Sequence, residues 1–495
     1  MSVPARRRPG RRRLLAGVAL VSQLWLSGCA GFLAGSPRGE SVANALRQSA
    51  GPWLTPYFGS EPAMVVSWLT ADSLATRLFF GPDPDALQPL LAGAAGRRHR
   101  VELSGLAPGG RYFYIPDFGA GATVAGAPFS FVAPDSSAAS AELVLFGDMQ
   151  AADDFTRRGG ALISRAIAAS GADLVVQLGD VVQAGGYAPF WRDALVAISA
   201  FAAATPLVGV IGNHDYYGDD ARAFRDLFPY PYVDPTGGYW SFELAGACFV
   251  LLDSSRLGGS AGRRQKAWAE ATLAAAADAS YRFIILHHTP LTTGTSGSGG
   301  ALEAWLLPFA DRLGVDAVFF GHDHHYEHWE TTYGNEGLLF DPADRPSGRS
   351  IHWFCSGGGG ARLEIDYGLL TRAPAAIQRR LYDSSAGAWL QRSDFRLAWD
   401  SGRYLDYQND LDYGQLRDGR HYYHLPAEAA YQGDTGWLGY GYGEQTLHYL
   451  RLSIGPDEAV ISVHYPNGDT LTGPGGVVPQ VFRLPARRGT AGSAG

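Results

Sequence analysis

The chain has 495 residues, length enough for roughly three domains of about 150 residues each. It is 46% apolar and 18% charged, which excludes a disordered chain and supplies material for a large buried core. Its 64 Gly and 29 Pro follow no three-residue period, so a collagen-like chain is excluded, and three Cys cannot make a disulfide scaffold. The net charge is −8, from 40 basic and 48 acidic residues. Such an acidic body argues against binding a nucleic-acid duplex by phosphate neutralisation.

The N-terminus reads as an address. Arg6 to Arg13 is basic, and Leu14 to Trp25 is apolar but too short to span a hydrocarbon core of about 30 Å. Leu26-Ser27-Gly28-Cys29 follows, and the whole resembles a bacterial lipoprotein signal, which implies cleavage before Cys29 and lipidation of its sulfur. Arg11-Arg12-Arg13-Leu14-Leu15 also resembles a twin-arginine signal, so twin-arginine and general secretory export both stay open. Residues 1–28 are then a signal peptide and 29–50 a tether. The expected location is the cell envelope, on the periplasmic or extracellular face, with the membrane touched through the N-terminal lipid only. Cys248 and Cys355 lie in apolar runs and read as buried thiols.

Short β-rich runs fill residues 51–135, among them Met64 to Leu69, Arg77 to Phe80, His99 to Leu103 and Phe129 to Val132. Leu106 to Tyr114 resembles the tyrosine corner of fibronectin type III and immunoglobulin-like sandwiches, with the Tyr112 hydroxyl folded back onto the backbone. A small all-β sandwich is expected there.

From residue 141 to 360 the pattern becomes α/β. Apolar strands (Leu143 to Phe146, Leu174 to Leu178, Leu207 to Ile211, Phe249 to Leu252, Phe283 to Leu286, Ala317 to Phe320) end in polar turns, and helical stretches lie between some of them. Residues 361–440 break this rhythm and read as an irregular insertion. Residues 441–485 carry two strands around Gly455 to Glu458 that are expected to finish the core, and 486–495 read as a mobile tail.

The chemistry sits where the strands end. Successive runs close on Gly147-Asp148-Met149-Gln150, Gly179-Asp180, Gly212-Asn213-His214-Asp215, His287-His288-Thr289-Pro290 and Gly321-His322-Asp323-His324-His325. Open α/β sheets bind ligands just beyond the carboxyl ends of their strands, so these five turns converge carboxylate, amide and imidazole groups on one edge. That inventory suits one or two transition metals of intermediate softness.

Together these motifs resemble the calcineurin-like metallophosphoesterase superfamily, and with a β-sandwich in front they look most like its purple acid phosphatase branch. The resemblance implies a layered sandwich of two β-sheets flanked by helices, behind a fibronectin type III-like domain. It implies two divalent metal ions (Mn, Fe or Zn), a small phosphorylated substrate and attack by metal-bound hydroxide. Asp148 and His324 would bind the first metal, Asp180 would bridge, and Asn213, His288 and His322 would bind the second. His214 would act beside the scissile phosphate, oriented by Asp215. The family ligand lies two residues before Pro, so Pro290 selects His288, leaving His287 as a pocket or packing residue; His325 either contacts substrate or caps a turn. Arg256 is either a phosphate clamp or a solvated cation.

Two positions depart from the pattern. Gln150 stands where much of the superfamily has a ligand His, so its amide oxygen or water would complete the first site. Gln183 stands where the purple enzymes have the Tyr that gives their colour, so no ferric–tyrosinate centre is expected. The expected activity is that of an acid phosphatase-like phosphomonoesterase. A phosphodiesterase on the same site and a degenerate phosphate-binding protein are the alternatives.

Overall fold

The computed structural model describes residues 48–119, 127–292, 300–331, 350–363, 380–383, 388–390, 422–424, 440–444, 446–472 and 479–487. The signal-like segment, Cys29 and the expected tether as far as residue 47 lie outside the described residues, as do most of 361–440 and the tail from 488. Among the described residues no helix is long and apolar enough to cross a membrane.

Seven strands come first: β1 (Ala50–Tyr57), β2 (Ala63–Leu74), β3 (Arg77–Gly81), β4 (Gln88–Leu91), β5 (Gly96–Leu103), β6 (Arg111–Pro116) and β7 (Phe129–Val132). They form two antiparallel sheets, β1-β2-β5 and β4-β3-β6-β7. Alternation along β1 and β2 makes both of their faces apolar. Leu54, Met64, Val66 and Trp68 fill the sandwich, while Trp53 and Leu69 join the core of the following unit. The backbone N–H of Ala107 donates to the Tyr112 hydroxyl at 2.9 Å, the fold-back read from Leu106 to Tyr114. Trp53 Nε1 donates to Leu227 O at 3.0 Å, and the Tyr114 hydroxyl donates to Ala203 O at 2.7 Å, tying the sandwich down. Ala50, expected as the last tether residue, is already buried in β1.

The second unit runs β8 (Ala141–Phe146), α1 (Asp154–Ala169), β9 (Leu174–Gln177), α2 (Ala188–Ala202), β10 (Leu207–Gly209), α3 (Asn213–Tyr216), α4 (Arg222–Leu227), β11 (Trp240–Leu244) and β12 (Ala247–Leu251). It continues through α5 (Gly259–Ala275), β13 (Tyr281–Ile285), α6 (Gly300–Arg312), β14 (Ala317–Phe320), β15 (Tyr326–Thr331) and β16 (Ile351–Ser356). Short strands β17 (Arg380–Asp383), β18 (Ala388–Leu390) and β19 (Tyr422–His424) precede β20 (Tyr440–Glu444), β21 (Tyr449–Ile454), β22 (Glu458–His464) and β23 (Val481–Pro485). One sheet has the order β10-β9-β8-β21-β22-β23 and the other β11-β12-β13-β14-β16-β15-β20-β19-β17-β18.

Strand periodicity builds the layers. In β12 to β14, Phe249, Leu251, Phe283, Ile285 and Phe319 point into the core shared with the other sheet. Their alternates Val250, Ile284, Val318 and Phe320 meet Ala269 and Leu273 of α5 and Leu306 and Leu307 of α6. On the opposite side Trp191, Ala194, Leu195, Ile198 and Phe201, spaced by three and four, form the buried stripe of α2 against β8–β10. This is a helix–sheet–sheet–helix sandwich, the layered α/β class expected.

Two boundaries differ from expectation. The segment 361–440 contains β17 to β19 at the far end of the larger sheet rather than only irregular chain. Ala486 and Arg487, assigned to a mobile tail, are held: Ala486 N–H donates to Asp457 O at 2.8 Å, and Arg487 pairs with Asp316 at 2.7 Å.

Candidate metal centre

Strands β8, β9 and β10 are mutually parallel, as are β13, β14 and β16, so their carboxyl ends open on the same edge. The chain turns sharply there. Asp148, Gln150, Asp180 and His322 all take left-handed backbone conformations, with φ of 61°, 39°, 55° and 75°. Side-chain-bearing residues adopt that region at a cost of about 1–3 kcal/mol each, and such strain gathers at functional sites. Gly212 is required by space: a Cβ there would overlap the Asp180 carboxylate.

Asp180 lies at the centre. Its Oδ1 accepts the backbone N–H of His214 at 2.8 Å, leaving Oδ2 to face the cleft. Around Oδ2 stand Gln150 Nε2 at 3.0 Å and His287 Nε2 at 3.3 Å. His287 Nε2 is in turn 2.9 Å from Asn213 Oδ1 and 3.3 Å from His322 Nδ1. Asp180, His287 and His322 bring one ligand atom each within 4.8 Å of one another.

Histidine tautomers decide which lone pairs are available. His287 Nδ1–H donates to Leu178 O at 2.9 Å, so Nε2 is the nitrogen aimed at the cluster. His324 Nδ1–H donates to Arg362 O at 2.7 Å, and its Nε2 lies 3.6 Å from Asp148 Oδ1. His214 Nδ1–H donates to Gln183 O at 2.9 Å, and its ring meets Tyr217 edge-on. Asp148 accepts the His322 backbone N–H with both oxygens, at 3.1 and 3.0 Å.

The electrostatics point the same way. Burial opposes protonation of His287, but the Asp180 charge, helped by Asp148, outweighs it and pushes the pKa up to about 9. The neighbourhood therefore favours a cation between these carboxylates. Burial, and then the His287 charge, holds His322 well below the ordinary imidazole value. Burial also lowers His324. Neutral imidazoles keep the lone pairs that bind metals. Asp180 Oδ2, Asn213 Oδ1, His287 Nε2 and His322 Nδ1 form a two-oxygen, two-nitrogen donor set suited to Zn, Mn or Fe. Asp148 Oδ1 and His324 Nε2 offer a second, sparser pair beyond Asp180. These residues fit divalent cations.

The structure brings together Asp148, Asp180, Asn213, His322 and His324, and it revises three other expectations. His287, not His288, is the residue whose ring nitrogen converges with Asp180 and His322: both histidines lie in the bend after β13, and His288 Nδ1 is engaged by Ser254 Oγ at 2.8 Å. Asp215 does not orient His214. Its carboxylate accepts the backbone N–H groups of Asp180, Val181, Val182 and Gly212. His325 lies in the interior. It is buried beside Glu327, with Nε2 3.3 Å from Oε1, and is outside the converging ligand atoms.

Gln150 presents its amide N–H to Asp180 and so acts on that carboxylate instead of adding an oxygen to the first site. Arg256 is committed to Asp220 at 2.5 Å and lies over the Tyr216 ring. Of the aromatics near the motifs, Trp191, Tyr239 and Trp240 are core residues, while Tyr217 borders His214 in the open.

Sequence reasoning missed Ser254 and the run Gly357–Gly360. Ser254 follows β12, so the strand-end rule that found the other ligands also points to it. The glycine run lies so close under β8 that a Cβ at Gly359 would overlap the Gly147 carbonyl, and the next residue, Ala361, donates its N–H to Asp148 O at 2.8 Å.

Two β-sheets between helices, with carboxylate, amide and imidazole ligands gathered at their carboxyl edge, define the metallophosphoesterase class of α/β protein. The family model for Calcineurin-like phosphoesterase matches residues 142–326, the stretch that carries Asp148, Asp180, Asn213, His287, His322 and His324. It is 25% identical over 297 residues to purple acid phosphatase 21 of Arabidopsis thaliana, covering 55% of this chain and 65% of that one. It is 26% identical over 161 residues to an uncharacterized protein of Mycobacterium tuberculosis, covering 28% of this chain and 30% of that one. The chain thus spans less than two thirds of the length of these curated relatives. In fold it resembles the purple acid phosphatase PPD1 of yellow lupin (Lupinus luteus), with a TM-score of 0.60 and 14% identity over 89% of this chain and 74% of that one. PhoD gives a TM-score of 0.50 at 11% identity, over 92% of this chain and 95% of that one.

Proposed function

We propose that the chain is a metal-dependent phosphoester hydrolase with a dinuclear centre, acting on the monoester of a small phosphorylated substrate. The observation that carries this is the convergence of Asp180 Oδ2, Asn213 Oδ1, His287 Nε2 and His322 Nδ1 at the strand ends. These residues would hold divalent cations, which would supply Lewis acidity to phosphoryl oxygens and lower the pKa of water. Asn213 contributes a neutral oxygen, so the loaded site keeps positive charge for an anionic ester. Asp180 would be the carboxylate shared between the two ligand groups. His214 commits its Nδ1–H to the Gln183 carbonyl, so Nε2 is the nitrogen that would take up a proton and, from the imidazolium so formed, pass it to the leaving oxygen. The resemblance to purple acid phosphatases favours monoesters.

The test is initial rates on p-nitrophenyl phosphate and bis(p-nitrophenyl) phosphate with Mn, Zn and Fe, beside Asp180→Asn and with metal content measured. Turnover by the parent and none by Asp180→Asn supports the reading, and a faster diester than monoester rate would replace monoesterase by diesterase. Bound metal without turnover of either ester would favour a phosphate-binding protein. In the same reading Cys29 carries a lipid that holds the protein on the outer side of the cell membrane, which Cys29→Ser should release into the soluble fraction.

A further inference from the structure

His288 lies beside the ligand cluster without belonging to it. Its ring centroid is 4.6 Å from that of His322 and 5.2 Å from that of His287. The residue is half-buried, and its Nε2 has no partner among the described residues. Ser254 controls its other nitrogen. Ser254 Oγ accepts the backbone N–H of His288 at 3.0 Å and that of His287 at 3.3 Å, which uses both lone pairs of the hydroxyl. Only the hydroxyl proton remains, and with Oγ 2.8 Å from His288 Nδ1 it is donated there. Nδ1 is then an acceptor, and the imidazole proton sits on Nε2. His287, His324 and His214 have the opposite arrangement, each giving its Nδ1 proton to a backbone carbonyl.

We propose that His288 is an Nε2–H donor to a phosphoryl oxygen held at the metal cluster, and that Ser254 is the positioning residue that keeps it in this tautomer and out of the metal coordination. The chemistry asks for an anion. Neighbouring metal ligands consume lone pairs, whereas an N–H at the same rim can serve only an acceptor. This inference rests on the phosphoesterase reading above.

The experiment uses the full chain loaded with Zn, with metal content by elemental analysis, inorganic phosphate binding by calorimetry and histidine nitrogen shifts by 15N NMR. His288→Phe should keep the parent metal content and weaken phosphate binding about 10- to 100-fold, the loss of one hydrogen bond to a charged group. Ser254→Ala should weaken it too and shift the His288 nitrogens away from the protonated-Nε2 pattern, and Ser254→Thr should restore both. A fall in metal content in His288→Phe would make His288 a ligand and overturn the proposal. So would phosphate binding equal to the parent's, or a protonated Nδ1 in the parent. A parent that binds neither Zn nor phosphate removes the phosphoesterase reading itself, an outcome distinct from either of these.

Discussion

Asp180 and Asp215 hold each other's segments in place. The Asp180 N–H donates to Asp215 Oδ2 at 3.0 Å, and the N–H of His214, the residue before Asp215, donates back to Asp180 Oδ1 at 2.8 Å. Two carboxylates thereby lock the end of β9 to α3, and with it the spacing of Asp180, Asn213 and His214.

Asp215→Asn tests this lock. An amide has one acceptor atom where the carboxylate has two, so some of the four N–H groups lose their partner. Each orphaned buried donor costs about 1–3 kcal/mol, and a fall in thermal midpoint together with reduced metal content is expected. Reduced turnover with stability and metal content unchanged would instead return Asp215 to a direct part in catalysis.

His287→Ala removes one of four donors and should lower bound metal by up to one equivalent per chain, measured on dialysed protein. His288→Phe under the same dialysis should not. A reversal of this pair would restore the ligand set read from Pro290.

Gln150→His places an imidazole where Gln150 now donates to Asp180. It should raise metal occupancy at the Asp148–His324 pair, seen as tighter binding of the weaker equivalent in a metal titration. The parent should show no visible charge-transfer band when loaded with iron, because Gln183 stands in the Tyr position and has no phenolate to offer; its carbonyl accepts from His214.

His448 predicts acid lability. Burial lowers its pKa to about 4; Nδ1–H donates to Thr446 O at 2.9 Å, and the buried Nε2 has no hydrogen-bond partner among the described residues. The unfolded chain takes up this proton near pH 6.5 and the folded chain only near 4, so stability falls as pH drops through that window and levels off below it. The loss is about 3 kcal/mol. His448→Phe should flatten the midpoint-versus-pH curve between 6.5 and 4, as read by circular dichroism.

Trp53→Ala should cost about 3–5 kcal/mol and lower a single thermal transition shared by the sandwich and the α/β unit. The indole is fully buried in the core of the second unit while its strand belongs to the first. Two separated transitions in the parent would contradict this coupling.

The ligand-bearing turns were legible because each is local. A strand of alternating or wholly apolar residues, followed by Gly-Asp, Gly-Asn-His-Asp or Gly-His-Asp-His, needs only a parallel sheet to bring the groups to one edge. The layered core was legible for the same reason, since period-two burial in β12 to β14 is written in the residues themselves. That Asp148, Asp180, Asn213, His322 and His324 gather at one edge was therefore legible in the sequence alone.

What tertiary structure decided was direction and protonation. Adjacent His287 and His288 are the same residue type on one strand end, and proximity to a proline does not say which side faces the metal edge. Leu178 O, from β9's end, and Ser254 Oγ, from β12's end, make that choice by opposite hydrogen bonds across the two sheets. Asp215 likewise turns toward the backbone of residues 180–182 and of Gly212, whose four N–H groups its carboxylate accepts, a demand set by the turns after β9 and β10 and invisible in the spacing of Asn213, His214 and Asp215.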